Sequence, residues 1–177
     1  MKGKILALLL CVAIVLCLIM LSQTTSAQAD CIRIHIRAAS NSQYDQGVKL
    51  ALRDEVVAHL TPILSRAQNK KQAKTLLAQE LGSLTALSNT YLAQNNVNYL
   101  ATCYLSKEEF PSRKYGELVF EKGEYEALII SLGEGEGDNW WCVAYPPLCF
   151  VPEGEGEVIY KSKILEIIES YKEKHSL

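Results

Sequence analysis

From Cys31 to Ala38 apolar and polar residues alternate, with Ile32, Ile34 and Ile36 on one side and Arg33, His35 and Arg37 on the other. That period predicts a half-buried strand, and it places His35 on a solvated face. After Ser40 the pattern changes. Ser42 followed three residues later by Asp45 predicts a capped helix start, and Val48, Leu52, Val56 and Leu60 then give an apolar stripe at every fourth position. Asp45 and Lys49 stand in the order that favours a surface ion pair. Thr61-Pro62 predicts the end of the helix or a kink in it. A second helical pattern runs from Asn69 to Asn95 through Ala73, Leu76, Leu77, Leu81, Leu84, Leu87 and Tyr91, with Gly82 marking a break.

Alternation returns from Val97 to Leu105, predicting a strand. Phe110-Pro111 and Tyr115-Gly116 flank a polar loop. Glu117–Phe120 and Tyr125–Leu132 are short apolar runs joined through Lys122-Gly123, which predicts a β-hairpin. Trp140 to Tyr145 predicts a further strand. An acidic, glycine-rich linker follows, and Val158 to His175 predicts an amphipathic helix with Ile164, Ile167, Ile168 and Tyr171 at spacings of three and four. The sum is an α+β fold: an N-terminal strand, two helices, then a mostly antiparallel sheet, plus a C-terminal amphipathic helix. A chain of 177 residues suits one domain with a sizeable core.

The first 29 residues read differently. Lys2 and Lys4 precede an apolar run from Ile5 to Leu21, and Ala27-Gln28-Ala29 offers a small-x-small cleavage site, the layout of a secretory signal. An uncleaved run would instead anchor the chain in a membrane. The expected division is therefore residues 1–29 as signal or anchor, 30–151 as the domain, 152–157 as linker and 158–177 as the last helix. Without Lys2 and Lys4 the remainder carries 16 basic and 20 acidic residues. With no cluster of Lys and Arg, nucleic acid is not an expected partner. Cys11 and Cys17 lie in the leader, which leaves Cys31, Cys103, Cys142 and Cys149 in an oxidising compartment, where four cysteines allow three pairings. Closeness in the chain favours Cys142 with Cys149, whereas Cys31 and Cys103 meet only if their strands are neighbours. No metal site or cofactor is expected, since no C-x-x-C pair stands with histidines at ligand spacing.

The most unusual stretch is Gly133 to Phe150, GEGEGDNWWCVAYPPLCF. Gly133, Gly135 and Gly137 allow a sharp turn, but Glu134 and Glu136 between them would repel a phosphate. Trp140 and Trp141 are adjacent, so on a strand they point to opposite faces. Pro146-Pro147 fixes two φ angles and removes two donors, which excludes a central strand and leaves a stiff loop or sheet edge. A Cys142–Cys149 bridge would make this a rigid knob. The candidate partner-binding face is Asn139, Trp140, Trp141, Pro146 and Pro147. No catalytic residue is assigned, because G-x-S-x-G and H-E-x-x-H are both absent. The competing class is a secreted hydrolase acting on cell wall or peptide, with Cys142 or a histidine (His35, His59, His175) as its working group.

The run Gly123-Glu124-Tyr125-Glu126-Ala127-Leu128 followed by GEGEGDNWWCVAYPPLCF resembles the C-terminal signature of the stage II sporulation protein R family of endospore-forming bacteria. Asn41-Ser42, Asp45-Gln46, Lys49, Arg53-Asp54, Phe110-Pro111 and Tyr115-Gly116 extend the resemblance, while Ala39-Ser40 and Gly47 depart from it. The resemblance implies a non-enzymatic signalling protein. It would be made in the forespore and exported into the space between the forespore and mother-cell membranes. There it would be needed to activate a membrane-embedded aspartic protease, of the stage II sporulation protein GA type, that cleaves the sigma-E precursor.

Overall fold

The computed structural model describes residues 31–115 and 118–149, together with Glu169 and Glu173. The expected leader, linker and C-terminal helix lie outside the described residues, apart from those two glutamates. The described chain runs β1 (Ile32–Arg37), α1 (Gln43–Leu64), α2 (Lys70–Gln94), β2 (Ala101–Phe110), β3 (Arg113–Tyr115), β4 (Leu118–Phe120), β5 (Gly123–Leu132) and β6 (Asn139–Tyr145). It is an α+β fold, as the periodicities predict.

Four strands form the main sheet in the order β2-β5-β1-β6. β1 is central, parallel to β5 and antiparallel to β6, and β2 pairs antiparallel with all ten residues of β5. β5 is buried on both faces, which is why Ala127–Ile130 reads as a continuous apolar run instead of an alternation. One face of the sheet carries Ile32, Ile34, Ile36, Leu128, Ile130 and Leu132. It packs under the α1 stripe of Val48, Leu52, Val56 and Leu60 and under Leu77, Leu84 and Leu92 of α2.

Both helices start where the sequence places them. Ser42 caps α1 by accepting from the Asp45 N–H at 3.0 Å, and Asn69 caps α2 by accepting from that of Gln72 at 2.9 Å. One local expectation holds to within two residues and two fail. α1 continues past Pro62 to Leu64, because a proline that close to a helix end forfeits little of the ladder. α2 runs unbroken through Gly82, since one glycine lowers helix stability by only about 1 kcal/mol and flanking leucines anchor both halves. Asp45 and Lys49 do not pair: Asp45 accepts from Ser40 and Tyr99, and Lys49 donates to Gln46 and the Asp138 carbonyl.

The strands bring larger corrections. β2 begins at Ala101, later than the alternation suggests, and extends to Phe110. The expected hairpin of Glu117–Phe120 with Tyr125–Leu132 does not form. β4 pairs instead with β3, inside the stretch expected to be a polar loop, and β5 pairs with β2. The ten-residue β2–β5 ladder satisfies far more backbone groups than a short local hairpin could. The polar face of β1 is also buried: Arg33 is 0% exposed and His35 3%. A second layer covers it, built from Phe110, Phe120 and Tyr125 around Ala127, Ile129 and Val143.

Between β5 and β6 the glycine loop docks on the residue before β2 and on the segment after β1. Gly133 N–H donates to the Leu100 carbonyl (2.8 Å) and Gly137 N–H to that of Ala38 (2.9 Å). At Gly137 an added Cβ would lie 2.3 Å from the Ser40 carbonyl oxygen, so no larger residue fits. Gly82 is the opposite case, with nothing within 4 Å. Gly82→Ala is expected to raise unfolding free energy by about 1 kcal/mol, whereas Gly137→Ala lowers it by about 1–3 kcal/mol, both read from urea denaturation.

Candidate functional site

β6 is an edge strand, and its alternation sends the two tryptophans to opposite faces, as adjacency predicts. Trp140 joins the helix side, where the Arg53 guanidinium lies 5.7 Å from its ring centre. Trp141 joins the other layer. It stacks on His35 with ring centres 3.7 Å apart and meets Phe110 edge-on at 4.8 Å. Both tryptophans are partly open to solvent and Asn139 is exposed.

On the Trp140 side the elements are held by the start of α1. The Asn41 side chain accepts from the Asp138 N–H (2.6 Å), and the Lys49 ammonium donates to the Asp138 carbonyl (2.9 Å). Lys49 is 5% exposed, and burial holds its pKa below the usual lysine value. Hydrogen bonds from Ser40 and Tyr99 hold the Asp45 carboxyl below the ordinary range, and burial with the same Asp45 bond pushes the Tyr99 phenol up.

The Trp141 side is organised by Arg33, whose Cζ lies 4.7 Å from the Phe110 ring centre, 5.0 Å from Tyr125, 5.4 Å from Phe120 and 5.7 Å from Tyr115. Its Nε donates to the Cys142 carbonyl (3.0 Å) and Nη2 to the Tyr115 hydroxyl (3.3 Å). That hydroxyl donates in turn to the Trp141 carbonyl (3.0 Å). Among the described residues no carboxylate pairs with Arg33, and Nη1 has no partner. His35 bonds through Nδ1 to Glu108 Oε2 (2.9 Å), and Arg37 pairs with the other oxygen of the same carboxylate. Tyr104, not Glu108, stands level with His35 across the sheet. The carboxylate therefore reaches the imidazole only because the far end of the β2–β5 ladder curls over this face.

A disulfide joins Cys142 to Cys149, and its Cys149 sulfur accepts the Val143 N–H at 3.1 Å on the edge of β6. Cys31 and Cys103 do not meet, because β5 lies between β1 and β2 and the two residues belong to opposite layers. The predicted contact face divides. Asn139, Trp140 and Trp141 keep surface, whereas Pro146 and Pro147 are buried and offer none. The prolines follow an edge strand as expected, but the turn tucks them inward, with Leu148 N–H donating to the Pro146 carbonyl (2.8 Å).

Sequence reasoning missed the Arg33–His35–Glu108 cluster, since clean alternation on β1 argues for a wet face. The three consecutive polar residues on that face were the available signal. For a hydrolase the parts do not converge. Cys142 is held in the disulfide, His35 bonds to Glu108, and His59 bonds to Glu80 at 3.0 Å. His175 lies outside the described residues. Among the described residues neither histidine has a hydroxyl or thiol within hydrogen-bonding distance, and no group of three or more His, Cys, Asp or Glu could hold a metal ion.

This is an α+β domain whose aromatic and polar clusters meet at one tryptophan pair. Residues 28–155 match the family model described as Stage II sporulation protein R (spore_II_R). The curated Stage II sporulation protein R of Bacillus subtilis (strain 168) is 34% identical over 143 residues, which cover 81% of this chain and 64% of that protein. No solved structure matches the chain. The chain belongs to the stage II sporulation protein R family and is a sporulation protein. It spans just under two thirds of the length of the curated relative.

Two measurements follow. Burial, opposed by the Glu108 and Asn139 contacts, lowers the His35 pKa, so the folded state disfavours the imidazolium that the unfolded chain accepts. Its stabilisation is complete above the unfolded value of about 6.5 and is lost as pH falls from there through the lower folded value. Melting temperature should drop over that window, and His35→Gln should flatten the slope. Replacing Cys142 and Cys149 together by serine should lower stability by about 2.5 kcal/mol, the chain-entropy value for so short a loop, in urea titrations under oxidising conditions.

Proposed function

We propose that this chain is an exported signal that works by contact, touching a membrane-embedded aspartic protease and so licensing cleavage of the sigma-E precursor. The proposed site of action is the space between the forespore and mother-cell membranes. The observation that carries the reading is the tryptophan pair. Two large aromatic side chains retain open surface at a sheet edge, with the Trp141 carbonyl held by a tyrosine hydroxyl and the flanking Asp138 and Cys142 held by a lysine ammonium and a disulfide. Rigid, half-open aromatics beside an exposed Asn139 suit a protein interface, where such anchors commonly dominate affinity. Preorganisation lowers the ordering cost of association.

A non-catalytic role is part of the proposal. The contact face is narrowed to Asn139, Trp140 and Trp141, with the prolines as its inner wall. Trp140→Ala should leave the exported domain folded, by circular dichroism and melting, while reducing precursor cleavage in sporulating cells by at least tenfold. Loss of the folded protein would assign Trp140 to the core instead. Reconstitution of the purified domain with protease and precursor tests the reading directly, and cleavage independent of the domain sinks it.

A further inference from the structure

The β1–β6 pairing sets His35 opposite Trp141 and Arg37 opposite Asn139, so a titratable ring lies against two residues of the contact face. The imidazole is closed in. It is buried, stacks on the Trp141 indole and meets Phe110 edge-on with ring centres 5.9 Å apart. Its Nδ1 is taken by Glu108, while Nε2 has no hydrogen-bond partner among the described residues. A carboxylate only accepts, so the neutral ring carries its proton on Nδ1 and leaves Nε2 as a bare lone pair. The imidazolium adds an N–H at Nε2. A buried charged donor without an acceptor costs far more than an unused lone pair.

The groups around the ring do not offset that charge. On β1 itself Arg37 shares the Glu108 carboxylate and opposes a second cation, and buried Arg33 lies on the same face. From β2 comes Glu108, already divided between the two, with the exposed Tyr104 level with the ring but a strand away. β5 presents Ile129 here, and its Tyr125 sits further along against Arg33. The Tyr115 hydroxyl of β3 is engaged with Arg33 and the Trp141 carbonyl. From β6 the Asn139 side chain contacts the ring and favours its charged form, but it does not meet Nε2 in hydrogen-bonding geometry. A proton at Nε2 therefore finds an acceptor only if Asn139 turns inward or water enters beside Trp141. Either change alters the contact face.

We propose that His35 is a proton-sensitive positioning residue for this face: the neutral ring holds Trp141 and Asn139 in the pose that meets the receptor, and protonation releases that pose. This rests on the receptor reading above and adds a regulation to the same surface. A receptor seated on β6 seals the cluster further from water, so the bound state favours the neutral ring and affinity falls as acidity rises.

Trp140→Phe leaves Trp141 as the sole tryptophan of the chain, and its emission reports the stack. From about pH 8 to about pH 5 that emission should fall in one step as a cation comes to face the indole, with a midpoint below about 6.5, while circular dichroism stays constant. Adding Asn139→Ala, which removes the acceptor, should move the midpoint lower, and adding His35→Gln should abolish the step. With purified receptor protease in detergent, the ratio of wild-type to His35→Gln affinity should fall at least tenfold across the same range; the ratio cancels the receptor's own titration. His35→Phe, which keeps a stacked ring without a charge, replaces His35→Gln where the latter does not fold. No emission step, a step that coincides with unfolding, or a midpoint unmoved by Asn139→Ala overturns the proposal and leaves the receptor reading intact. A constant affinity ratio has the same meaning. Failure of wild type to bind at any pH overturns both.

Discussion

A buried guanidinium organises this domain. Taking an unpaired cation out of water costs several kcal/mol, and no carboxylate among the described residues offsets that for Arg33. The compensation is distributed. Phe110 comes from β2, Tyr115 from β3, Phe120 from β4 and Tyr125 from β5, each presenting its electron-rich ring, while β6 contributes the Cys142 carbonyl. One side chain on β1 therefore touches all five other strands. It cannot be satisfied by part of the fold, because each missing strand withdraws a partner that water cannot replace in a closed layer. This gives the short β3–β4 ribbon a reason to dock, since two three-residue strands have little adhesion of their own.

What could be read from the sequence divides along the same line. The helix side was legible: the isoleucine alternation, the every-fourth-residue stripe of α1, the Ser42 cap and the opposed tryptophans all follow from local pattern. The second layer was not. Arg33 and His35 look solvated because polarity on alternate positions usually means a wet face, and only the curl of distant Glu108 and Phe110 over β1 reverses that. The β4 mispairing has the same origin, since a turn signal at Lys122-Gly123 speaks only for neighbours while β2 competes from further away. Gly82 shows tertiary packing overriding a local breaker.

The residues that carry the family resemblance fall into two groups in space. Asn41, Lys49 and Arg53 gather at the glycine loop and Trp140, whereas Phe110, Tyr115 and Tyr125 gather at Arg33 and Trp141. The adjacent tryptophans are the seam between them. Anything that grips one indole is thereby mechanically linked to both layers, which a contact signal can exploit without moving parts of its own.

The position of β1 in the sheet has a consequence for how the chain is made. The earliest strand needs both of its neighbours from the far end of the described sequence, β5 on one side and β6 on the other. While the polypeptide emerges in order, its helices can form, but no strand of the main sheet has a partner until Gly123–Leu132 arrives, and β1 lacks its second neighbour until Asn139–Tyr145 follows. A ribosome would thus carry a partly helical, sheetless thread for most of its length. Closure would then come late and all at once.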